Sequence, residues 1–269
     1  MSTLVIDSER AAEAGKLLID AMHNGGIFGF TATPQSKPPI SLPEDLEARV
    51  RFITFSVQLD YLRDSTRLYD AGRATYDDER TRWLYDPYEV ANASYVRVTR
   101  ALKTYGLSQR EGRDADVWMH NAKRLVDNYD GSVLNLLDTG DWNGPKILRL
   151  VGKDGFMSLS GPKVGPLWIR MINSDIPNKM QDLVDVPIPV DRHIGNSSFA
   201  IGAIIGGRNG LDLEHITHPV QKVWQEAGRL GGFMSLDLDI PLWHLGRVGC
   251  SKPKCAQSDE CPVRTLCMK

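Results

Sequence analysis

The cysteines of this chain are confined to its last twenty residues, and their placement constrains the fold more than any other feature. They follow the spacing C–x4–C–x5–C–x5–C and are Cys250, Cys255, Cys261 and Cys267. A secreted disulfide protein would distribute its cysteines among loops, whereas clustered thiols in a chain without an export signal are typical of metal binding. Thiolates bind an iron–sulfur cubane or a tetrahedral zinc ion equally well, so the spacing alone leaves both open.

The composition is that of a globular protein. The 269 residues are 42% hydrophobic and 25% charged, which is enough for a substantial core in one or two domains and argues against disorder. The formal net charge of −2 does not favour a nucleic-acid-binding protein, although binding depends on where the basic residues cluster. The first residues mix charged with apolar side chains, and no apolar run could span a bilayer. We therefore expect a cytoplasmic, nucleoid-associated protein without membrane contact.

Apolar residues recur at helical spacing along most of the chain, while strand-like alternation is nearly absent. The predicted helices include residues 5–24, capped by Asp7 or Ser8, one beginning at Pro43, one from Pro87 to Gly106, and one near 110–128. Glycines stop several of these segments, as glycine commonly does after the last helical turn. The sequence therefore predicts an all-α protein of roughly ten or more helices.

The tripeptide Gly161–Pro162–Lys163 begins a further predicted helix, with the sequence VGPLWIRMIN. Glycine permits a tight turn, and proline suits the first position of a helix. Amide donors at such a helix start can bind an anion, most commonly phosphate. The tripeptide by itself indicates only a corner between two helices, because Gly144–Pro145–Lys146 repeats it.

Together with the downstream segment PVDRHI, this region resembles the helix-hairpin-helix DNA glycosylase superfamily, and endonuclease III in particular. The family signature L-P-G-V-G-x-K-T-A is followed by a helix and a V-D-x-H/N-V segment. The resemblance assigns the second hairpin glycine to Gly161, the lyase lysine to Lys163, and the small residue that packs the hairpin to Gly165. It assigns the catalytic aspartate to Asp191, and it implies that Gly161, Val164 and Gly165 contact DNA.

Two departures from the signature leave a second alignment open. The first hairpin glycine is missing, and the interval between lysine and aspartate is longer than in endonuclease III, with an insertion near residues 175–188. In the second alignment Val164–Gly165 ends the hairpin and Leu167 takes the lysine position, which implies a glycosylase without lyase activity. We prefer the first alignment because it keeps both a lysine and a small residue two positions later.

The chemistry of base excision requires both residue types. Cleavage of the N-glycosidic bond builds positive charge on the sugar, which a carboxylate such as that of Asp191 stabilises. A neutral amine such as that of Lys163 can attack C1′ and form a Schiff base. Asp191 is also well placed to cap the following helix, and the two roles are compatible because an aspartate at a helix start stays ionised.

Two further segments extend the resemblance. Ser56–Val57–Gln58 resembles the S-A-Q at a helix end, from which the family inserts a glutamine into the gap left by the flipped base; an ordinary polar helix end is the alternative. The segment WHLGR before the cysteines resembles the one before the endonuclease III cluster, which favours a 4Fe–4S cluster over zinc. Lys252 and Lys254, between the first two cysteines, would then contact phosphate, with a solvated charged surface as the alternative.

The resemblance implies two α-helical lobes with DNA bound across the cleft between them. Residues 44–178 would form a helical barrel lobe with the helix-hairpin-helix, residues 179–269 a C-terminal lobe with the cluster, and residues 1–43 a helix and linker packing with the C-terminal lobe. The expected protein is a monomer that flips a damaged or modified base out of double-stranded DNA and excises it, with AP lyase activity through Lys163. A non-catalytic iron–sulfur nucleic-acid-binding protein and a monofunctional glycosylase for an unusual base are the alternatives.

Overall fold

The computed structural model describes residues 4–110, 112–206, 212–251, 255 and 257–268. Within these ranges the chain forms twelve α-helices and one pair of two-residue strands, so the predicted all-α class is confirmed. The helices, numbered α1 to α12 in chain order, are Ser8–His23, Leu46–Val57, Ser65–Asp77, Pro87–Asn92, Tyr95–Lys103, Arg113–Tyr129, Val133–Thr139, Gly144–Lys153, Val164–Asp175, Arg192–Ile201, Leu213–Gly231 and Asp239–His244. The antiparallel strands are Val5–Ile6 (β1) and Ile204–Ile205 (β2).

The helices form two compact units. The terminal unit combines residues up to 33 with residues from 183 onward and contains α1 and α10 to α12. The central unit is the continuous segment Pro34–Asp182 and contains α2 to α9. No helix in the described parts of either unit combines the length and the apolar composition needed to cross a bilayer.

Side-chain caps determine where several helices begin. Asp7 caps α1 by accepting a hydrogen bond from the Arg10 amide at 3.0 Å, as predicted. The predicted start of α2 at Pro43 is wrong. Asp45 is the N-cap, because its side chain accepts a hydrogen bond from the Ala48 amide at 2.8 Å, and the helix begins at Leu46. A side-chain oxygen at this position satisfies an amide that has no partner within the helix.

The single helix predicted between Pro87 and Gly106 is instead two helices, α4 and α5. Ala93 and Ser94 have extended backbone conformations, and the Ser94 hydroxyl accepts a hydrogen bond from the Arg97 amide at 3.3 Å. Serine competes with helical hydrogen bonding by bonding its own backbone, which is why it favours caps over helix interiors. The interruption therefore has a local cause that the apolar periodicity did not reveal.

Helix α2 lies in the core of the central unit. Its Val50 and Phe55 are at most 1% exposed. The Phe55 ring packs 5.1 Å from the Trp118 ring of α6, measured between centroids, and the Trp168 indole of α9 donates to the Thr54 hydroxyl at 2.8 Å. Helices α6 and α9 thus both pack against α2. These contacts fix the position of the residues that follow the C-terminal end of α2.

Helices α8 and α9 are joined by a ten-residue connection, residues 154–163, which we call the hairpin. Phe156 and Leu159 anchor this connection with exposures of 1% and 0%. The left-handed backbone positions are Gly155 (φ +73°) and Ser158 (φ +64°), whereas Gly161 does not adopt a positive φ. Gly161 lies close to the turn instead, because a Cβ there would be 3.0 Å from the Ser158 carbonyl oxygen.

The core of the terminal unit is built around α1 and α11. Alanines on the buried face of α1, Ala11 and Ala14, are fully buried, as is Trp224 of α11. The Trp224 indole donates to the Ser198 hydroxyl of α10 at 2.9 Å. Small residues on one helix allow the close approach of another, and the buried tryptophan then fixes α10 against the pair.

The close packing against the hairpin leaves no room for a side chain at Gly165, and this can be tested by substitution. A Cβ at this position would lie 2.5 Å from the Leu159 carbonyl oxygen and 2.9 Å from Leu148 Cδ2. We expect Gly165→Ala to lower the free energy of unfolding by about 1–3 kcal/mol, because a buried backbone atom must move. Gly152→Ala is the matched control in α8, where no atom lies within 4 Å of the added Cβ.

The control should be stabilising by about 0.5–1 kcal/mol, since alanine has less conformational freedom in the unfolded chain. Urea denaturation followed by circular dichroism measures both changes. Equal effects of the two substitutions would contradict the hairpin packing.

Candidate active site

Lys163 is the last residue of the hairpin and lies directly before α9. Its Nζ is 2.9 Å from Oδ1 of Asp60 and 2.6 Å from the Asp60 carbonyl oxygen. The Lys163 side chain is 17% exposed and that of Asp60 is 2% exposed. The amine is therefore held in a nearly dry environment by one carboxylate and one carbonyl group.

Asp60 was not singled out in the sequence, although it follows Gln58 by two residues at the end of α2. Its carboxylate also accepts a hydrogen bond from the Tyr69 hydroxyl at 3.2 Å, and the Ser65 hydroxyl lies 3.3 and 3.4 Å from its two oxygens. A carboxylate is buried at high cost unless it is paired and hydrogen-bonded, and Asp60 meets both conditions. The pair connects two segments that are 103 residues apart in the chain.

The other predicted hairpin residues expose little side chain. Val164 is 3% exposed and Leu167 is 4% exposed, and both lie in α9. Leu167 thus supplies an apolar core contact, whereas Lys163 supplies an amine. Because Val164 and Gly165 are buried and Gly161 has no side chain, a DNA contact by these residues would have to come from the backbone.

Gln58 lies inside the central unit, with only 1% of the residue exposed. Its Oε1 accepts a hydrogen bond from Asn121 Nδ2 at 2.7 Å. Asn121 also accepts from the Met157 amide at 2.8 Å, which ties the end of α2 to the hairpin through α6. The insertion of Gln58 into DNA stays a prediction, and it would require this side chain to rotate out of the core.

Asp191 is the N-cap of α10 in the terminal unit, whereas Lys163 belongs to the central unit. Its Oδ1 accepts hydrogen bonds from the amides of His193 and Ile194 at 2.8 and 2.9 Å. Its Oδ2 has no hydrogen-bond partner among the described residues. The predicted capping role is confirmed, and one carboxylate oxygen remains available for a ligand.

The segment before the cysteines packs against the start of α10. Residues Leu245–Cys250 form a single π-helical turn, and a Cβ at Gly246 would lie 2.0 Å from the His193 carbonyl oxygen. Only glycine allows this approach, so the WHLGR segment and the Asp191 cap are held together. Next to it, burial lowers the pKa of His244, whose Nε2 lies 3.1 Å from the Ala32 carbonyl oxygen.

The four cysteines form no disulfide bond. Burial raises the pKa of the Cys261 thiol, and the nearby thiolates of Cys255 and Cys267 raise it further. In the parts of the chain that the structure describes, no group of three or more His, Cys, Asp or Glu side chains is arranged to hold a metal ion. Lys252 and Lys254 lie outside the described residues.

Comparison with known proteins finds a likeness among solved structures only. No protein-family model matches the chain, and no curated protein sequence matches it. Among solved structures, the chain is similar to an 8-oxoguanine DNA glycosylase from Pyrobaculum aerophilum in complex with 8-oxoguanosine, with a TM-score of 0.48 and 17% sequence identity. The match covers 96% of this chain and 86% of the other.

The buried pair of Lys163 and Asp60 predicts an unequal response to removing two carboxylate charges. We expect Asp60→Asn to lower the free energy of unfolding by about 3–5 kcal/mol, because the ammonium of Lys163 loses its charge partner in a buried site. Asp141→Asn is the matched control, since Asp141 pairs with the exposed Lys146 of the other Gly–Pro–Lys tripeptide. The control should change stability by less than about 1 kcal/mol. Thermal unfolding that is equally affected by both substitutions would show that the Asp60 pair contributes no more than a surface pair.

Proposed function

We propose that this chain is a DNA N-glycosylase with AP lyase activity, in which Lys163 is the nucleophile and Asp191 stabilises the charge on the sugar. The observation that carries the proposal is the amine of Lys163, which lies at the end of the hairpin, directly before α9, in a nearly dry environment. The motif resemblance around Gly161 and Asp191 supports the same assignment. The substrate class is double-stranded DNA that contains a damaged or modified base.

The Lys163–Asp60 pair gives the amine a route to its reactive form. A nearby carboxylate favours the charged ammonium, which cannot attack a sugar carbon. Asp60 Oδ1, 2.9 Å from Nζ, can accept the proton that Lys163 must release. The neutral amine then forms a bond to C1′ while the bond from C1′ to the base breaks, and the base leaves with the electron pair and takes up a proton. Opening of the sugar ring gives the Schiff base from which strand cleavage proceeds.

Asp191 supplies the negative charge that this reaction needs. Its Oδ1 accepts hydrogen bonds from two helix amides, which fix the orientation of the carboxylate. Its Oδ2 can face the positive charge that develops on the sugar as the base departs. One carboxylate can therefore cap α10 and take part in the chemistry.

A monofunctional glycosylase is the second candidate, and the same ion pair favours it. If Lys163 stays protonated against Asp60, it serves the fold alone, and Asp191 would activate water for the attack on C1′. The two candidates differ in whether a covalent enzyme–DNA intermediate forms.

We propose that Cys250, Cys255, Cys261 and Cys267 hold a 4Fe–4S cluster, with zinc as the alternative. The chemistry of the donor set fits such a group, because four cysteines lie in one short segment and thiolates bind both an iron–sulfur cluster and zinc. When bound, the cluster would act as a structural crosslink of the tail. The chain's own residues then connect that tail to the Asp191 cap through Gly246.

The lyase proposal predicts a covalent adduct. Incubation with a duplex that contains an abasic site, followed by borohydride reduction, should trap the wild-type protein on DNA, because borohydride reduces a Schiff base to a stable amine. Lys163→Ala should abolish the adduct. Lys146→Ala, at the equivalent position of the first Gly–Pro–Lys tripeptide, should leave the yield unchanged.

An adduct that survives Lys163→Ala would overturn the assignment of the nucleophile. No wild-type adduct, combined with base release from any duplex in a panel of oxidised pyrimidines, 8-oxoguanine, uracil and alkylated purines, would identify the monofunctional enzyme. Asp191→Asn belongs in the same panel, because asparagine is an equally good N-cap but carries no charge. If base release by the wild type is absent from the whole panel, the non-catalytic alternative is favoured.

The metal proposal predicts the composition of the purified protein. We expect about four iron atoms and four acid-labile sulfides per chain, and visible absorption that a strong reductant bleaches. Cys261→Ser should lower the iron content and destabilise the terminal unit. About one zinc ion per chain and no visible absorption would establish the zinc alternative.

A further inference from the structure

A small pocket in the central unit lies between the end of α2, the loop before α6 and the hairpin that follows α8. The polar residues that line it include Gln58, Tyr61, Arg63, Arg110, Arg113 and Asp114. Its volume is about 20 Å³, which admits about one or two oxygen-sized atoms. The pocket is separate from the Lys163 amine and takes no part in the chemistry proposed above.

The hydrogen-bond network fixes which way the Gln58 amide faces. The Met157 amide can only donate, so the atom of Asn121 that accepts from it is the oxygen. Asn121 therefore presents its nitrogen to Gln58 and donates to Oε1 at 2.7 Å. The remaining atom, Nε2 of Gln58, is buried and has no hydrogen-bond partner among the described residues. Gln58, which lines the pocket and is only 1% exposed, thus carries a buried donor without an acceptor among the described residues.

Arg63 adds two more buried donors. Its Nη1 donates to the Leu107 carbonyl oxygen at 2.9 Å. Its Nε and Nη2 are buried and have no partner among the residues that the structure describes. Burial lowers the pKa of Arg63, and the charge of Arg110 acts in the same direction, while Asp114 and Asp60 oppose it. A guanidinium in this position is costly unless a negatively charged acceptor binds to it.

Two further arginines surround the mouth of the pocket. The guanidinium carbons of Arg110 and Arg113 lie 5.5 and 5.8 Å from the centroid of the Tyr61 ring. The carboxylate in the lining, Asp114, already accepts hydrogen bonds from the amides of Gln109 and Arg110 at 2.8 and 2.9 Å. Among the described residues, the lining thus contains three guanidinium groups and one carboxylate, and its charge is positive in a chain whose net charge is −2.

We propose that this pocket binds a phosphate group, with one or two of its oxygens accepting hydrogen bonds from Gln58 Nε2 and from Arg63 Nε and Nη2. Arg110 and Arg113 hold the part of the phosphate that remains at the mouth. Guanidinium groups match the geometry of phosphate oxygens, and such bonds are stronger than those between neutral groups. A buried water molecule could fill the space, but it would add no negative charge beside the three guanidinium groups, which the carboxylate of Asp114 balances only in part.

A phosphodiester of the DNA backbone is the source that agrees with the proposed function, and only this choice of source depends on that proposal. A free phosphate or a nucleotide presents the same chemistry. Since phosphate contacts determine the salt dependence of DNA binding, the sources can be separated by measurement.

The first experiment titrates the protein with inorganic phosphate. Saturable shifts of the Arg63 Nε–H signal and of the backbone amide signals of the lining residues are expected in a nitrogen–proton correlation spectrum. The backbone amide signals should show that binding is weakened at least tenfold in Arg63→Gln. Arg113→Gln, at an exposed position where the substitution leaves the core intact, should weaken binding severalfold. Arg67→Gln, at an exposed position of α3, should have no effect. Absence of any phosphate-dependent shift in the wild-type protein would overturn the proposal and show that the pocket holds water.

The second experiment measures binding of an undamaged fluorescent duplex at several salt concentrations, so its result does not depend on catalysis. For a DNA phosphate, Arg63→Gln should reduce the slope of log affinity against log salt by about 1, and Arg67→Gln should leave it unchanged. Phosphate binding that is lost in Arg63→Gln while the duplex slope stays constant would establish a free phosphate or nucleotide as the ligand and overturn the DNA source. Both experiments remain informative if no base is excised.

Discussion

The buried ion pair between Lys163 and Asp60 is the contact on which the central unit depends. It joins the residue that ends the α2 region to the residue that begins α9, and Thr54 and Trp168 join the same two helices one layer deeper in the core. The charge pair alone would gain little stability, because both groups must leave water. The ion pair instead fixes the position of the two helices, since α2 and α9 are far apart in sequence and the pair sets their separation and their register.

The elements that could be predicted from the sequence are those with local causes. Asp7 and Asp191 cap helices because a carboxylate and the following amides are neighbours in the chain, and both caps are found. The all-α class also follows from short-range periodicity. Ser94 has an equally local cap, but apolar spacing runs through it and conceals the break.

The features that sequence could not supply are long-range. In the sequence, nothing distinguishes Asp60 from the other charged residues. Its role becomes apparent only in the structure, where it pairs with Lys163, 103 positions later in the chain. The donors of Gln58 and Arg63 become a site only when α6 and the hairpin surround them. Ser158 also adopts a left-handed conformation that its residue type does not suggest, whereas Gly161, the expected turn residue, does not. The backbone of this turn therefore differs from the one that the motif around Gly161 predicts.

The terminal unit is built from both ends of the chain, and this has a consequence for how the protein is made. Helix α1 buries Ala11, Ala14 and Leu18 within a unit completed by α11, and β1 pairs with residues near 205. At a synthesis rate of about 5–20 residues per second, these partners leave the ribosome roughly 10–40 s after α1. During that interval the continuous central unit can fold, while the apolar face of α1 has no native partner. The order of synthesis thus makes α1 one of the last helices to reach its native contacts.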